Sequence, residues 1–182
     1  MRVITGTARG RRLETLEGVD VRPTTDRVKE AIFSVIQFET EGRRFLDLFA
    51  GSGQMGIEAI SRGAKEACFV DNSKKSVEVI KRNLKSTKFE MQSKVFQMDF
   101  HSFLAMNQDV FDIVFLDPPY KTGLLQDALE KVVECVRETG VIIAENPLDE
   151  ELAESYGEFM LDRQYRYGKI KVCIYRHRDF LQ

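Results

Sequence analysis

Hydrophobic positions along the chain recur at two spacings that alternate almost from end to end. Val28, Ile32, Val35 and Ile36 share one helical face. They follow Arg22-Pro23-Thr24-Thr25-Asp26, where Thr24 or Thr25 can cap and Asp26 sits near the positive helix end. Phe45-Leu46-Asp47-Leu48-Phe49 reads as the first core strand, and Ala50-Gly51-Ser52-Gly53 turns from it into a helix carrying Ile57 and Ile60. Ala67 to Asp71 is a second strand; Ser73 can cap the next helix, with Val77, Ile80 and Leu84 on its apolar side. Val95 to Met98 is a third strand, and the continuously apolar Ile113-Val114-Phe115-Leu116, ending at Asp117, is a fourth, buried on both faces. Leu125, Leu129, Val132 and Val136 mark another helix, and Val141 to Glu145 a fifth strand. A short helix is expected near Asp149 to Tyr156, then a hairpin of Phe159 to Tyr165 and Ile170 to Tyr175 turning at Tyr167-Gly168.

Strands alternating with helices predict an α/β fold, with a mostly parallel sheet covered on both faces. Five parallel strands and a C-terminal antiparallel pair make seven. No linker or repeat interrupts the pattern, so residues 1–182 are expected to form a single domain, with residues 1–22 as a basic, glycine-containing arm or hairpin.

With 43% apolar and 31% charged residues, the composition is that of a soluble domain, and no apolar run is long enough to span a bilayer. The first residues carry arginines rather than an apolar core, unlike a secretory signal, so a cytoplasmic location is expected. Cys68, Cys135 and Cys173 are far apart and form no C-x-x-C pair; they read as apolar filler, and no metal site is expected. The net charge of −2 advertises no polyanionic partner, but its distribution does. Residues 1–12 carry Arg2, Arg9, Arg11 and Arg12 with no acid among them, and residues 163–178 carry six cations, again with no acid. These two ends can form a phosphate-binding face if the fold joins them.

The chemically suggestive residues cluster at the carboxyl ends of the strands, where open parallel sheets bind ligands. Gly51-Ser52-Gly53-Gln54-Met55-Gly56 matches G-x-G-x-x-G, a loop that lets backbone approach a ligand. Both a dinucleotide and S-adenosylmethionine suit such a loop. Asp47 favours the second, because an acid there would repel pyrophosphate and attract an ammonium. Asp71, placed 20 residues after Gly51, can accept from ribose hydroxyls in either case. Asp99 can accept from an adenine amine with Phe100 packing on the ring, or can instead cap a short helix over 100–106. Asp117-Pro118-Pro119-Tyr120 is the sharpest feature. Two prolines stiffen the backbone after a buried strand and remove two N–H donors. The Asp117 carboxylate and Pro118 carbonyl can then accept both hydrogens of a planar amine while Tyr120 stacks on its ring.

D-L-F-A-G-S-G at 47–53 combined with D-P-P-Y at 117–120 resembles the class I, Rossmann-like methyltransferases that act on exocyclic amines. R-V-I-T-G-T-A-R-G-R-R-L at 2–13 and R-P-T-T-D-R-V-K-E-A-I-F at 22–33 extend the likeness to nearly the whole chain and point to the RsmD family, which methylates N2 of a guanine in 16S ribosomal RNA. The resemblance implies an enzyme using S-adenosyl-L-methionine, held by Asp47, Phe49, Ala50, Gly51, Gly53, Asp71, Asn72, Asp99 and Phe100. Asp117, Pro118 and Tyr120 would hold the guanine, and Arg9, Arg11, Arg22, Thr24 and Arg27 would approach the RNA. The implied partner is 16S ribosomal RNA, within a small subunit or an assembly intermediate. Gln54 and Met55 depart from the smaller or more typical residues expected after Gly53.

Three other functions fit parts of this pattern. An adenine-N6 methyltransferase of DNA or RNA would use the same acceptor pair. A nicotinamide-dependent oxidoreductase could use the glycine loop but has no role for D-P-P-Y, and a non-catalytic RNA-binding module could keep the fold alone.

Overall fold

The structure, a computed structural model, describes residues 1–16 and 25–181. The elements run α1 (Asp26–Val35), β1 (Arg44–Asp47), α2 (Gln54–Ser61), β2 (Glu66–Asp71), α3 (Lys74–Thr87), β3 (Ser93–Gln97), α4 (Phe100–Met106), β4 (Phe111–Leu116), α5 (Leu124–Val132), β5 (Val136–Pro147), β6 (Ser155–Tyr156), β7 (Phe159–Tyr167) and β8 (Ile170–His177). The strands form one sheet in the order β3-β2-β1-β4-β5-β8-β7-β6, parallel from β3 to β5 and antiparallel beyond. One face is packed by α1, α2 and α3 through residues such as Ile32, Ile57 and Ile80; the other is packed by α4 and α5 through Phe103, Leu125 and Leu129. Strand order reverses between β1 and β4, and the crevice at that switch point is where such sheets take ligands.

Helix starts follow the polar residues anticipated for them. Thr25 caps α1 by accepting from Val28 N, and Ser73 caps α3 by accepting from Ser76 N. Among the described residues the sheet has eight strands rather than seven. The extra one replaces the helix expected near Asp149 to Tyr156. Tyr156 is buried, and Gly157 takes a left-handed φ of 54°, so the chain reverses and Tyr156 pairs with Phe159. The Tyr156 hydroxyl accepts from Ala153 N, which also holds the preceding segment out of helical conformation. The three cysteines are free and buried; burial raises Cys68 and Cys135 to about 12, as befits thiols acting as packing. Among the described residues, no helix is long and apolar enough to cross a membrane.

Sequence periodicity did not reveal how the N-terminal arm is held. Val3 N donates to Arg11 O and Gly10 N to Val3 O, which folds the arm into a hairpin with Arg2 and Arg12 as cross-strand neighbours. Val3 and Leu13 enter the core. Glu58 on α2, fully buried, accepts from Ile4 N at 2.8 Å and Thr5 N at 3.0 Å, and pairs with Lys29 at 3.7 Å and Arg62 at 2.8 Å. Ser61 accepts from Ala8 N and donates to Thr5 O. Farther along, the Asn83 side chain exchanges two hydrogen bonds with the Glu14 backbone and donates to Ser52 O in the glycine loop. One amide thus ties the arm to that loop.

Candidate active site

A cavity of about 550 Å³ opens at the carboxyl edge of β1, β2 and β4, within the size range of small-molecule sites. The loop after β1 forms one wall. Gly51 has a left-handed φ of 54°, and a Cβ there would meet nothing within 4 Å, so the cavity reaches its backbone. Gly56 serves packing instead: a Cβ would fall 2.3 Å from the Phe69 ring, so the residue type lets α2 lie close against β2.

Asp47 does not line the cavity. It is 1% exposed beneath the loop and accepts from Gly56 N at 3.2 Å. Burial, with the nearby Asp71 charge adding to it, raises its carboxyl from 3.8 to about 7. Asp71 does line the cavity. Its two oxygens accept from Gly51 N and Ser73 N, each at 2.8 Å, which fixes the carboxylate at the mouth of the glycine turn. Asn72 is exposed beside it. Ala50 and Gly53 are buried in the loop, where Ala50 N donates to Val70 O and Gly53 N to Ala50 O.

Phe49 and Phe100 meet at 5.4 Å on the cavity wall. Asp99 lines the cavity as well, but it is also the cap of α4. Its oxygens accept from Ser102 N at 2.9 Å and Ser102 Oγ at 2.7 Å, and these bonds hold its carboxyl below the usual range. His101, on the same rim, pairs with Asp127 at 2.9 Å.

Opposite the glycine loop lie Asp117, Pro118, Pro119 and Tyr120, all bordering the cavity. Asp117 keeps part of its surface open. Loss of water around the carboxylate, then the charges of Glu145 and Asp47, hold its carboxyl well above the ordinary range. Pro118 is buried and Pro119 exposed. The Tyr120 hydroxyl donates to Glu145 Oε1 at 3.0 Å. Glu145, 2% exposed, joins the candidate site residues through this bond; sequence reasoning passed over it, although an acid closing the apolar run Val141 to Ala144 at this edge was a usable signal. Leu16, at the end of the arm, also borders the cavity.

Arg9, Arg11 and Arg27 are exposed, whereas Arg22 and Thr24 lie outside the described residues. The two basic ends do approach one another across α1: Arg2 pairs with Asp26 at 3.3 Å, and the next residue, Arg27, lies within electrostatic reach of Tyr167 in the C-terminal hairpin. Several C-terminal cations are committed elsewhere, Lys171 to Glu151, Arg176 to Glu39 and Asp162, and Arg178 to Glu158.

Residues 1–176 match the family described as Conserved hypothetical protein 95. A Bacillus subtilis (strain 168) protein provisionally named rRNA methyltransferase YlbH is 42% identical over 183 residues, covering 98% of this chain and 100% of that one. Ribosomal RNA small subunit methyltransferase D of Escherichia coli (strain K12) is 30% identical over 178 residues, covering 97% and 89%. Among solved structures, a provisionally named methyltransferase, yhhF from Escherichia coli, superimposes with a TM-score of 0.88 at 31% identity over 97% of both chains.

Proposed function

Because the chain belongs to the RsmD family of methyltransferases, we propose that it methylates the exocyclic N2 amine of a guanine in small-subunit (16S) ribosomal RNA, using S-adenosyl-L-methionine. The observation that carries this reading is the placement of Asp117 and Tyr120 on the cavity wall facing the glycine loop, with Asp71 fixed at that loop. The cavity suits the cofactor in size and in chemistry: a carboxylate held by two backbone amides for ribose hydroxyls, aromatic rings for adenine, and backbone open at Gly51.

When bound, the cofactor supplies an electrophilic methyl on a sulfonium. The chain supplies alignment and electrostatics. An amine conjugated to a base ring is a poor nucleophile because its lone pair is delocalised. Asp117 and the Pro118 carbonyl accept its two hydrogens and favour a pyramidal nitrogen, while Tyr120 stacks on the ring. The nitrogen lone pair that Asp117 and the Pro118 carbonyl present would take the methyl that the cofactor supplies, and one proton would leave the alkylated nitrogen. In its ionised form Asp117 is placed to take that proton and pass it to solvent, and the surroundings that raise its proton affinity favour the transfer. A guanine in a duplex would first have to leave its stack.

The test is incubation with isotopically labelled cofactor and unmodified small subunits, followed by mapping of the modified nucleotide. Label at N2 of one guanine is expected. Label at adenine N6 would transfer the reading to the adenine enzymes, and stabilisation by NAD alone, with no label, would refute it.

A further inference from the structure

The sheet register links the active site to a second feature, which lies on the C-terminal hairpin. Leu116 pairs with Ala144, so the next step along both strands brings Asp117 beside Glu145. Glu145 pairs with Val172, and Val172 with Tyr165; one step farther out on the same face, Pro147, Ile170 and Tyr167 form the next row. Side chains directly opposed across a sheet share a face. Tyr120, Tyr165 and Tyr167 accordingly border the same core, each partly exposed. With strands about 4.8 Å apart, Tyr165 stands about 10 Å from Glu145, the partner of Tyr120.

A register shift between Leu161 and Arg163 produces this arrangement. Before it, Phe159 and Leu161 face the α4–α5 side; after it, Tyr165 and Tyr167 face the other. The two rings are 24° from parallel with centroids 6.5 Å apart, about twice the ~3.4 Å step between stacked bases. Arg27 lies within electrostatic reach of Tyr167, Lys169 is exposed in the hairpin turn, and no acid occurs from Arg163 to Arg178.

We propose that Tyr165 and Tyr167, with Arg27 and Lys169 beside them, form a stacking platform for unpaired RNA nucleotides next to the target base. Double-stranded RNA presents phosphates and a shallow groove, whereas aromatic side chains engage bases that are already splayed out. Aromatic rings with cations near them, on the sheet face that Tyr120 also borders, fit a single strand on either side of an extruded base. This inference rests on the proposed RNA substrate but is tested by binding rather than by methyl transfer.

The experiment measures affinity, by fluorescence anisotropy, for a short guanine-containing single-stranded RNA and for the same sequence as a duplex. It compares the wild type with Tyr165→Leu, Tyr167→Leu and the corresponding Phe variants. Loss of one base–aromatic stack corresponds to weaker single-strand binding by about tenfold. Each Leu variant should show that loss, with duplex affinity and cofactor affinity within about twofold of wild type, while the Phe variants bind like wild type. If a Leu variant melts below the assay temperature, Lys169→Glu, an exposed change, should still weaken single-strand binding. Unchanged single-strand affinity in the folded variants overturns the platform, as do Phe variants as weak as Leu. Absence of methyl transfer by the wild type with these binding differences intact would overturn the substrate assignment alone.

Discussion

Replacing Asp47 by Asn should make the cofactor-free protein more stable at neutral pH and remove part of its pH dependence. Asp47 is buried, and its carboxyl moves from 3.8 to about 7 on folding. A group raised in this way contributes stability that is fully present below its unfolded value and lost as pH rises through its folded one. The gap of about three pH units, at about 1.4 kcal/mol each, amounts to about 4 kcal/mol between pH 4 and pH 8. Asparagine does not titrate there, yet its side-chain oxygen can still accept from Gly56 N. Removing the Asp47 charge also relieves Asp117, whose carboxyl it helps to raise, so that effect has the same sign. For a chain of this size, about 4 kcal/mol corresponds to roughly 10 °C. Thermal melts of wild type and Asp47→Asn from pH 4 to pH 8 should therefore diverge, with the variant gaining on wild type by roughly that amount. Melting curves that stay parallel over the whole range would refute the reasoning, because they would mean that Asp47 is ionised in the fold at no extra cost.

Four further expectations follow from the same geometry. Glu58→Gln strips the charge from a buried cluster holding Lys29 and two arm amides, and should cost about 3–5 kcal/mol. Calorimetry measures it, and pairing the change with Lys29→Met should recover part of the loss. Tyr120→Phe removes the donor and Glu145→Leu the acceptor of one part-buried hydrogen bond, worth about 1 kcal/mol. Each should lower kcat, and the double variant should be little worse than either single one in a double-mutant cycle. Asp117→Ala should abolish transfer yet keep the thermal stabilisation of about 2.7 kcal/mol that a ligand gives at a hundredfold its Kd. Charge reversal at Arg9, Arg11 and Arg12 should reduce the slope of log affinity for single-stranded RNA against log salt by about 0.7 per lost phosphate contact.

Elements whose residues obey one local rule were legible in the sequence. The apolar run Ile113 to Leu116 of β4 and the capped helices α1 and α3 lie where periodicity and caps put them. The acids ending β2 and β4 were readable as a site because parallel strands bring their carboxyl ends to one edge. What escaped was non-local. Glu58 lies within a helix buried on every side, so its amphipathic pattern hides a carboxylate facing arm residues more than fifty positions away. The register shift in β7 moves its tyrosines to the opposite face, which alternation alone does not disclose. Residues 149–156 carry few hydrophobic positions to define a period, and pairing of Tyr156 with Phe159 outweighed the weak helical signal.

The site is costly to the fold in a way that suits its chemistry. Asp47, Asp117 and Glu145 crowd one sheet edge with little water; burial opposes ionisation of Asp47 and Asp117, and the charges of Glu145 and Asp47 add to it at Asp117. A core chosen for stability alone would place apolar residues there, since taking carboxylates out of water is costly. Their retention fits a site whose ligands arrive with an ammonium, a sulfonium and an amine. Cationic ligands favour the ionised carboxylates, so binding should release protons and the stability lost near neutral pH should return on binding. Calorimetry in buffers of different ionisation enthalpy would detect that release. Cofactor binding at pH 7 without proton exchange would mean that the acids serve the RNA base alone.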